Sequence, residues 1–207
     1  MSTVHHFRIA TTPVTTGDAG TVAAPVTTTT TATAATSVLA RRALATLRIA
    51  FGLTFLWAFL DKLLALGFST GRADDGTVDR FGDAAWIHGA SPTEGFLSFG
   101  ADGPFKGFYN SIAGAAWADW LFMIALLGLG LSLILGIGVR VAGVAGATLY
   151  LMMWTVALPP ENNPVLDDHV LGAITMVVLA ATSAGMTWGL GRRWAATDLV
   201  ARFPFLR

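Results

Sequence analysis

The chain contains no cysteine, which excludes disulfide staples, thiolate metal sites, iron–sulfur clusters and any dithiol relay. Charge is scarce as well. Asp, Glu, Lys and Arg make up 13% of the 207 residues and cancel to a formal net charge of +0, so no basic or acidic field points to nucleic acid or to an acidic substrate. Histidine occurs only at positions 5, 6, 88 and 169, and His169 has no second axial ligand at matching depth for a haem. Glu161, Asp167, Asp168 and His169 match no dedicated metal motif, so neither metal nor haem is expected. A glycine-rich strand-to-helix turn for a nucleotide is also missing.

What is present is apolar. Hydrophobic residues reach 54% and mean hydropathy is +0.61, values of an integral membrane protein rather than a soluble domain. The apolar segments 43–66, 118–138, 140–158 and 168–190 each approach the roughly 20 residues with which a helix crosses about 30 Å of hydrocarbon. The predicted fold is all-α: an integral membrane four-helix bundle with short helices in a long extracytoplasmic loop between helices 1 and 2. Residues 1–40, rich in Thr and Ala and without helical period, are expected as a disordered cytoplasmic tail. Residues 41–194 form the membrane domain and 195–207 a cytoplasmic C-terminal tail. No apolar h-region precedes Arg41-Arg42, so the first span is expected as a retained signal anchor.

Arg41, Arg42, Arg48, Arg140, Arg192, Arg193, Arg202 and Arg207 fall on one side of a four-span arrangement while most acidic residues fall on the other. That asymmetry predicts cytoplasmic N- and C-termini. In the long loop, Ser91-Pro92-Thr93-Glu94 combines an N-cap serine, a proline at the first helical position and a glutamate placed for a capping box. A short helix should start there and stop near Gly100, and Pro104 should open a second. The aromatics around them, Trp86, Phe96, Phe99, Phe105, Phe108, Tyr109, Trp117 and Trp120, suit the water–lipid boundary. Small residues at four-residue spacing, Gly128, Ser132 and Gly136, Gly143 with Ala147, and Ala180 with Ala184, predict close helix packing; the same stripes would serve an oligomer.

The densest polar cluster, 159–169, lies between two apolar segments, where unpartnered backbone groups near hydrocarbon cost several kcal/mol each. Asp61 and Lys62 close the first helix and Asp119 opens the second, so all should meet this cluster on one face. Charges at such depth cost about 2.5–3.5 kcal/mol at a helix centre and tend to pair. Lys62 with Asp167 or Asp168 is the predicted pair. His169, Asp168 and Lys62 are the candidate catalytic groups, and Asp61, Asp119, Asp167 and Glu161 carry structural charge. In the competing reading Asp61 and Lys62 snorkel, Asp167 caps a helix and His169 bonds a carbonyl. Asn162 and Asn163 suit either a ligand carbonyl or a turn. Tyr150 and Trp154 on one helix stripe, with Phe51, Phe55 and Phe59 on another, lead towards the cluster. Such stripes are usually core. Here they would also frame a flat apolar slot ending in hydrogen-bond donors, the shape a quinone ring with an isoprenoid tail needs, with Asn162, Asn163, Trp154, Tyr150 and Phe59 as its binding residues.

Five stretches carry a family resemblance: 48–62; 86–97, with Gly89-Ala90-Ser91-Pro92-Thr93; Gly103-Pro104-Phe105; 120–140; and 159–169 followed by Trp188-Gly189-Leu190. Over residues 44–194 the chain resembles the DoxX/DoxD family of small four-helix membrane proteins, one branch of which is the large subunit of thiosulfate:quinone oxidoreductase. The resemblance implies a multi-pass plasma-membrane protein that passes electrons from thiosulfate or another sulfur compound to menaquinone or ubiquinone. Without cysteine or a redox-cofactor motif, the electrons would need a partner subunit, a soluble redox enzyme or direct donor–quinone chemistry. A thiosulfate dianion would be repelled by the carboxylates of the outer face unless Lys62, Arg72, Arg80 or Lys106 made a positive pocket. A protonated quinol tolerates those carboxylates, and His169 or Asp168 can exchange protons with it. The alternative implied by the wider family is a non-catalytic membrane scaffold or assembly subunit anchoring a partner protein.

Overall fold

Uninterrupted runs of Ala, Leu, Val and Phe, free of proline, build the long helices of the computed structural model, which describes residues 38–160, 163 and 165–207. Contacts divide the chain into Met1–Ala35 and Thr36–Arg207, and everything described belongs to the second unit. The predicted tail therefore lies outside the described residues up to residue 37, and its last three residues are helical. Helix α1 spans Val38–Leu64. After a long loop come two short helices, α2 at Glu94–Phe99 and α3 at Lys106–Ile112, and then α4 at Ala116–Leu135, α5 at Val139–Val156 and α6 at Asp168–Ala181. Among the described residues there is no strand, only an isolated bridge between Arg72 and Val78.

Helices α1, α4 and α5 are long and apolar enough to cross a membrane. The segment expected at 168–190 differs: its helix stops at Ala181, and its 14 residues span about 21 Å, short of a hydrocarbon core of about 30 Å. Ser183 turns left-handed at φ 52° and a 3-10 turn follows at Ala184–Met186. The non-helical backbone thus freed presents the Thr187 and Trp188 carbonyls to a buried arginine of α1. Between α4 and α5 the turn is tight because Gly136 and Gly138 both take left-handed conformations, φ 73° and 62°, which glycine adopts without steric cost.

Helix α1 packs along α4 and α5 along α6, with α4 and α5 joining the two pairs. Met123, Leu126, Leu129, Leu133, Met176 and Leu179 fill the centre. Small residues set the spacing, but not all at the expected register. A Cβ on Gly130 would lie 2.9 Å from the Leu56 nitrogen, and one on Gly143 would strike Ala180 and sit 2.9 Å from the Met176 carbonyl. Gly128, expected at an interface, has open space where a side chain would project. Leu121, Ile124, Val144, Leu171 and Val177 face outward, an apolar perimeter suited to lipid.

The loop helices follow their local signals, except that α2 opens at Glu94 with Thr93 rather than Ser91 at its cap position. The Ser91 hydroxyl accepts the Glu94 N–H at 3.1 Å, α2 stops at Phe99 before Gly100, and Pro104 sits in the turn that leads into α3. Leu97, Ala101 and Tyr109 pack with Val156, and the Asp102 N–H donates to the Val156 carbonyl at 3.1 Å, which ties this cap to the end of α5. The expected C-terminal tail is instead folded. Helices α7 (Gly191–Ala195) and α8 (Asp198–Arg202) bury Val200, Trp194 Nε1 donates to the Leu206 carbonyl at 2.6 Å, and the Arg140 N–H donates to the Arg207 carbonyl at 2.8 Å.

Candidate functional site

At the start of α6 the sequence Asp167-Asp168-His169 closes on itself. Asp167 is the N-cap, its Oδ1 accepting the Val170 N–H at 3.0 Å, because the first-turn amides have no helical partner. Its other oxygen lies 2.7 Å from His169 Nδ1. Partial burial works to raise the Asp167 pKa, but the His169 hydrogen bond, the Val170 N–H and the His169 charge outweigh it and hold the carboxyl below its ordinary value. An ionised carboxylate only accepts, so Nδ1 carries the hydrogen, and the tautomer this fixes has its lone pair on Nε2.

Tyr150 of α5 stands beside this pair, its ring centroid 6.4 Å from that of His169. Gly172 of α6 makes the approach possible, since a Cβ there would lie 2.8 Å from Tyr150 Cε1 and Cζ. Phe55 and Phe51 of α1 meet the other side of the tyrosine at 5.6 and 6.3 Å. The Tyr150 hydroxyl makes no hydrogen bond among the described residues. Three helices thus place an oriented imidazole and a phenol at the end of an aromatic wall.

The other expected site residues fall elsewhere or serve the fold. Trp154 Nε1 donates to the Val165 carbonyl at 3.1 Å, and Asn163 Oδ1 accepts the Val165 and Leu166 N–H groups, both at 2.9 Å, so its oxygen stabilises a turn. Phe59 is partly buried against the core. Asp168 is exposed in the first turn of α6. Glu161, Asn162 and Pro164 lie outside the described residues.

The predicted pairing of Lys62 with Asp167 or Asp168 does not form. Lys62 Nζ donates instead to Ser69 Oγ at 3.3 Å, because the loop after α1 is drawn back over the helix end by Asp61. Nor does Asp61 snorkel. It is 1% exposed and accepts the Phe68 N–H, the Ser69 N–H and the Ser69 hydroxyl at 3.2, 3.0 and 2.7 Å. Asp119 does the same for the second loop segment: its Oδ1 takes the Ser91 hydroxyl, the Thr93 N–H and the Thr93 hydroxyl at 2.7, 3.2 and 2.6 Å. Each carboxylate ties a loop to a helix end, and neither bonds to the Asp167–His169 pair.

Two features escaped the sequence reading. Arg48, counted there among the cytoplasmic charges, is 0% exposed and held by carbonyls alone. Its Nη1 donates to Leu133 and Ile134 at the end of α4, and its Nη2 to Thr187 and Trp188 at 3.1 and 3.0 Å. An arginine ten residues into an apolar helix, more than a turn beyond Arg41 and Arg42, was the available signal. The second is a cleft of about 420 Å³ lined by Trp86, Ser91, Glu94, Asp119 and Trp120 among others, well apart in composition from the His169 group; each of these residues stands out in the sequence, but their convergence on one cleft does not. Comparison with models of known protein families, with curated proteins and with solved structures finds no match to this chain.

Proposed function

We propose that this chain is a four-span plasma-membrane protein of the DoxX/DoxD type that works as the quinone-interacting subunit of a membrane oxidoreductase, with both termini cytoplasmic. The observation that carries the reading is the Asp167–His169 pair beside the ring of Tyr150, whose hydroxyl has no hydrogen-bond partner among the described residues. A bound quinone would supply two-electron, two-proton chemistry, the electrons coming from a sulfur compound oxidised with a partner subunit or soluble redox enzyme. His169 Nε2 takes a proton from, or returns it to, a ligand oxygen. Asp167 stabilises the imidazolium that results, and Asp168, exposed one residue away, passes the proton to water. Tyr150 donates its hydroxyl to a second ligand oxygen, while Phe51 and Phe55 flank the ring.

The span count rests on both ends of the bundle. Arg48 bonds carbonyls of α4 and of residues 187–188 together, which supports reading α6 and the segment after it as a fourth passage. The arginine-rich end then takes the cytoplasmic side. In detergent, the full chain should bind a menaquinone analogue, and His169→Ala and Tyr150→Phe should each weaken binding about tenfold, the equivalent of one hydrogen bond. Wild-type protein that binds no quinone, or variants that bind as well as wild type, would overturn the reading. A non-catalytic scaffold is the second reading, favoured by the exposed Phe99, Phe105 and Phe108 of the cap, and a stable co-purifying partner without bound quinone would establish it.

A further inference from the structure

The cleft beside α4 is built differently from the His169 group. Two indoles form its corner: the Trp86 and Trp120 centroids are 4.8 Å apart and the rings meet at 73°. Two carboxylates face it. Glu94 lies along Gly114, its carboxyl carbon 3.5 Å from where a Cβ on that glycine would be, and neither Glu94 nor Asp119 pairs with a cation among the described residues. Asp119 is only 7% exposed, yet all its hydrogen bonds fall on Oδ1. Its Oδ2 has no hydrogen-bond partner among the described residues, and Asp119 lines the cleft.

Two unneutralised carboxylates repel anions and make a neutral ligand a poor match for the charge. They attract cations, and the aromatic faces select among these, since an alkylated ammonium is attracted by the ring quadrupole and sheds water more readily than a small metal ion. Among the described residues no three His, Cys, Asp or Glu side chains gather into a metal-holding group. The volume falls within the range of small-molecule sites, about 300–1,000 Å³, which leaves room for an ammonium head and part of the chain it carries.

We propose that the cleft formed by Trp86, Trp120, Glu94 and Asp119 binds an organic ammonium group, with the indoles against its alkyl surface and the carboxylates supplying the counter-charge. The assignment does not depend on the quinone reading, because none of its residues belongs to that group. The ammonium can come from a lipid headgroup or from a free amine.

Calorimetric titration of the full chain in nanodiscs with choline tests the assignment. Saturable binding is expected, weakened about tenfold by Glu94→Gln and by Trp120→Ala and partly restored by Trp120→Phe. Both positions are exposed, so thermal unfolding should stay at the wild-type value and report that the variants are folded. The neutral isostere 3,3-dimethylbutan-1-ol should bind at least tenfold more weakly than choline. Weaker choline binding in phosphatidylcholine discs than in phosphatidylglycerol discs supports the assignment with a lipid headgroup as source, and equal binding in the two supports it with a soluble amine. No saturable choline binding, equal affinity for the isostere, indifference to both substitutions, or binding of magnesium alone overturns it.

Discussion

Asp167 does two jobs with one carboxylate, capping α6 and orienting His169, and its pH response follows from that. A carboxyl held below its ordinary pKa in the folded state takes up fewer protons there than in the unfolded chain. Its stabilisation is therefore complete above the usual carboxylate range and is lost as pH falls through the depressed value. Thermal unfolding in detergent between pH 7 and pH 3 should show this loss in wild type and a flatter profile in Asp167→Asn, while Asp167→Ala should cost about 1 kcal/mol at neutral pH through the lost cap. The contribution of Arg48 is larger. Removing it leaves the buried Leu133 carbonyl and the part-buried carbonyls of 134, 187 and 188 without their donor, so Arg48→Ala should destabilise by about 3 kcal/mol in a denaturant titration, and Arg48→Lys should recover only part of this because it lacks the fork. These two residues differ in how readily the sequence discloses them. Asp167 and His169 are two positions apart, and a capping carboxylate beside a first-turn histidine is a local pattern. The partners of Arg48 lie 86 and 139 residues away, and nothing in the order of the letters brings them together.

Among the elements, the short helices of the cap were legible because each starts and stops on a local signal: the Ser91 hydroxyl on the Glu94 amide, Gly100 at an end, Pro104 in the turn before α3. The end of α6 was not, since hydropathy continues past Ala181 while the backbone leaves the helix to serve Arg48. Lys62 was misassigned for a related reason. Its position at the end of α1 was right, but the loop that Asp61 folds back supplied a nearer partner, Ser69. Packing register is similarly hidden from spacing alone, and it yields a paired prediction. Gly143→Leu should force α5 from α6 and lower the melting temperature, because the new side chain meets Ala180 and the Met176 backbone. Gly128→Ala, at a position with no neighbour within 4 Å, should leave stability unchanged or raise it by up to about 1 kcal/mol through helix propensity. In parallel thermal melts the Gly143→Leu variant checks the contact that both registers share, and the Gly128→Ala variant decides between the observed register and the one read from the spacing.

At the scale of the whole molecule, the proposed orientation is open to direct labelling, since a chain without cysteine gives no background. A membrane-impermeant maleimide added to intact cells should modify the Glu94→Cys variant and spare Arg193→Cys, which should react only after permeabilisation; the reverse pattern would invert the topology. The Arg48 contacts also bear on how such a chain is made. The arginine enters the bilayer with α1, whereas two of the carbonyls that complete its shell belong to residues 187 and 188, 139 and 140 positions further along the chain and so translated well after it. Until they arrive, an incompletely solvated charge sits among lipid at a penalty of about 2.5–3.5 kcal/mol on insertion scales. The expected consequence is that clearance depends on whether the chain reaches residues 187 and 188. In a pulse–chase experiment a product stopped after Ala181 should be cleared faster than the full chain, and Arg48→Leu in that shortened product should slow its clearance.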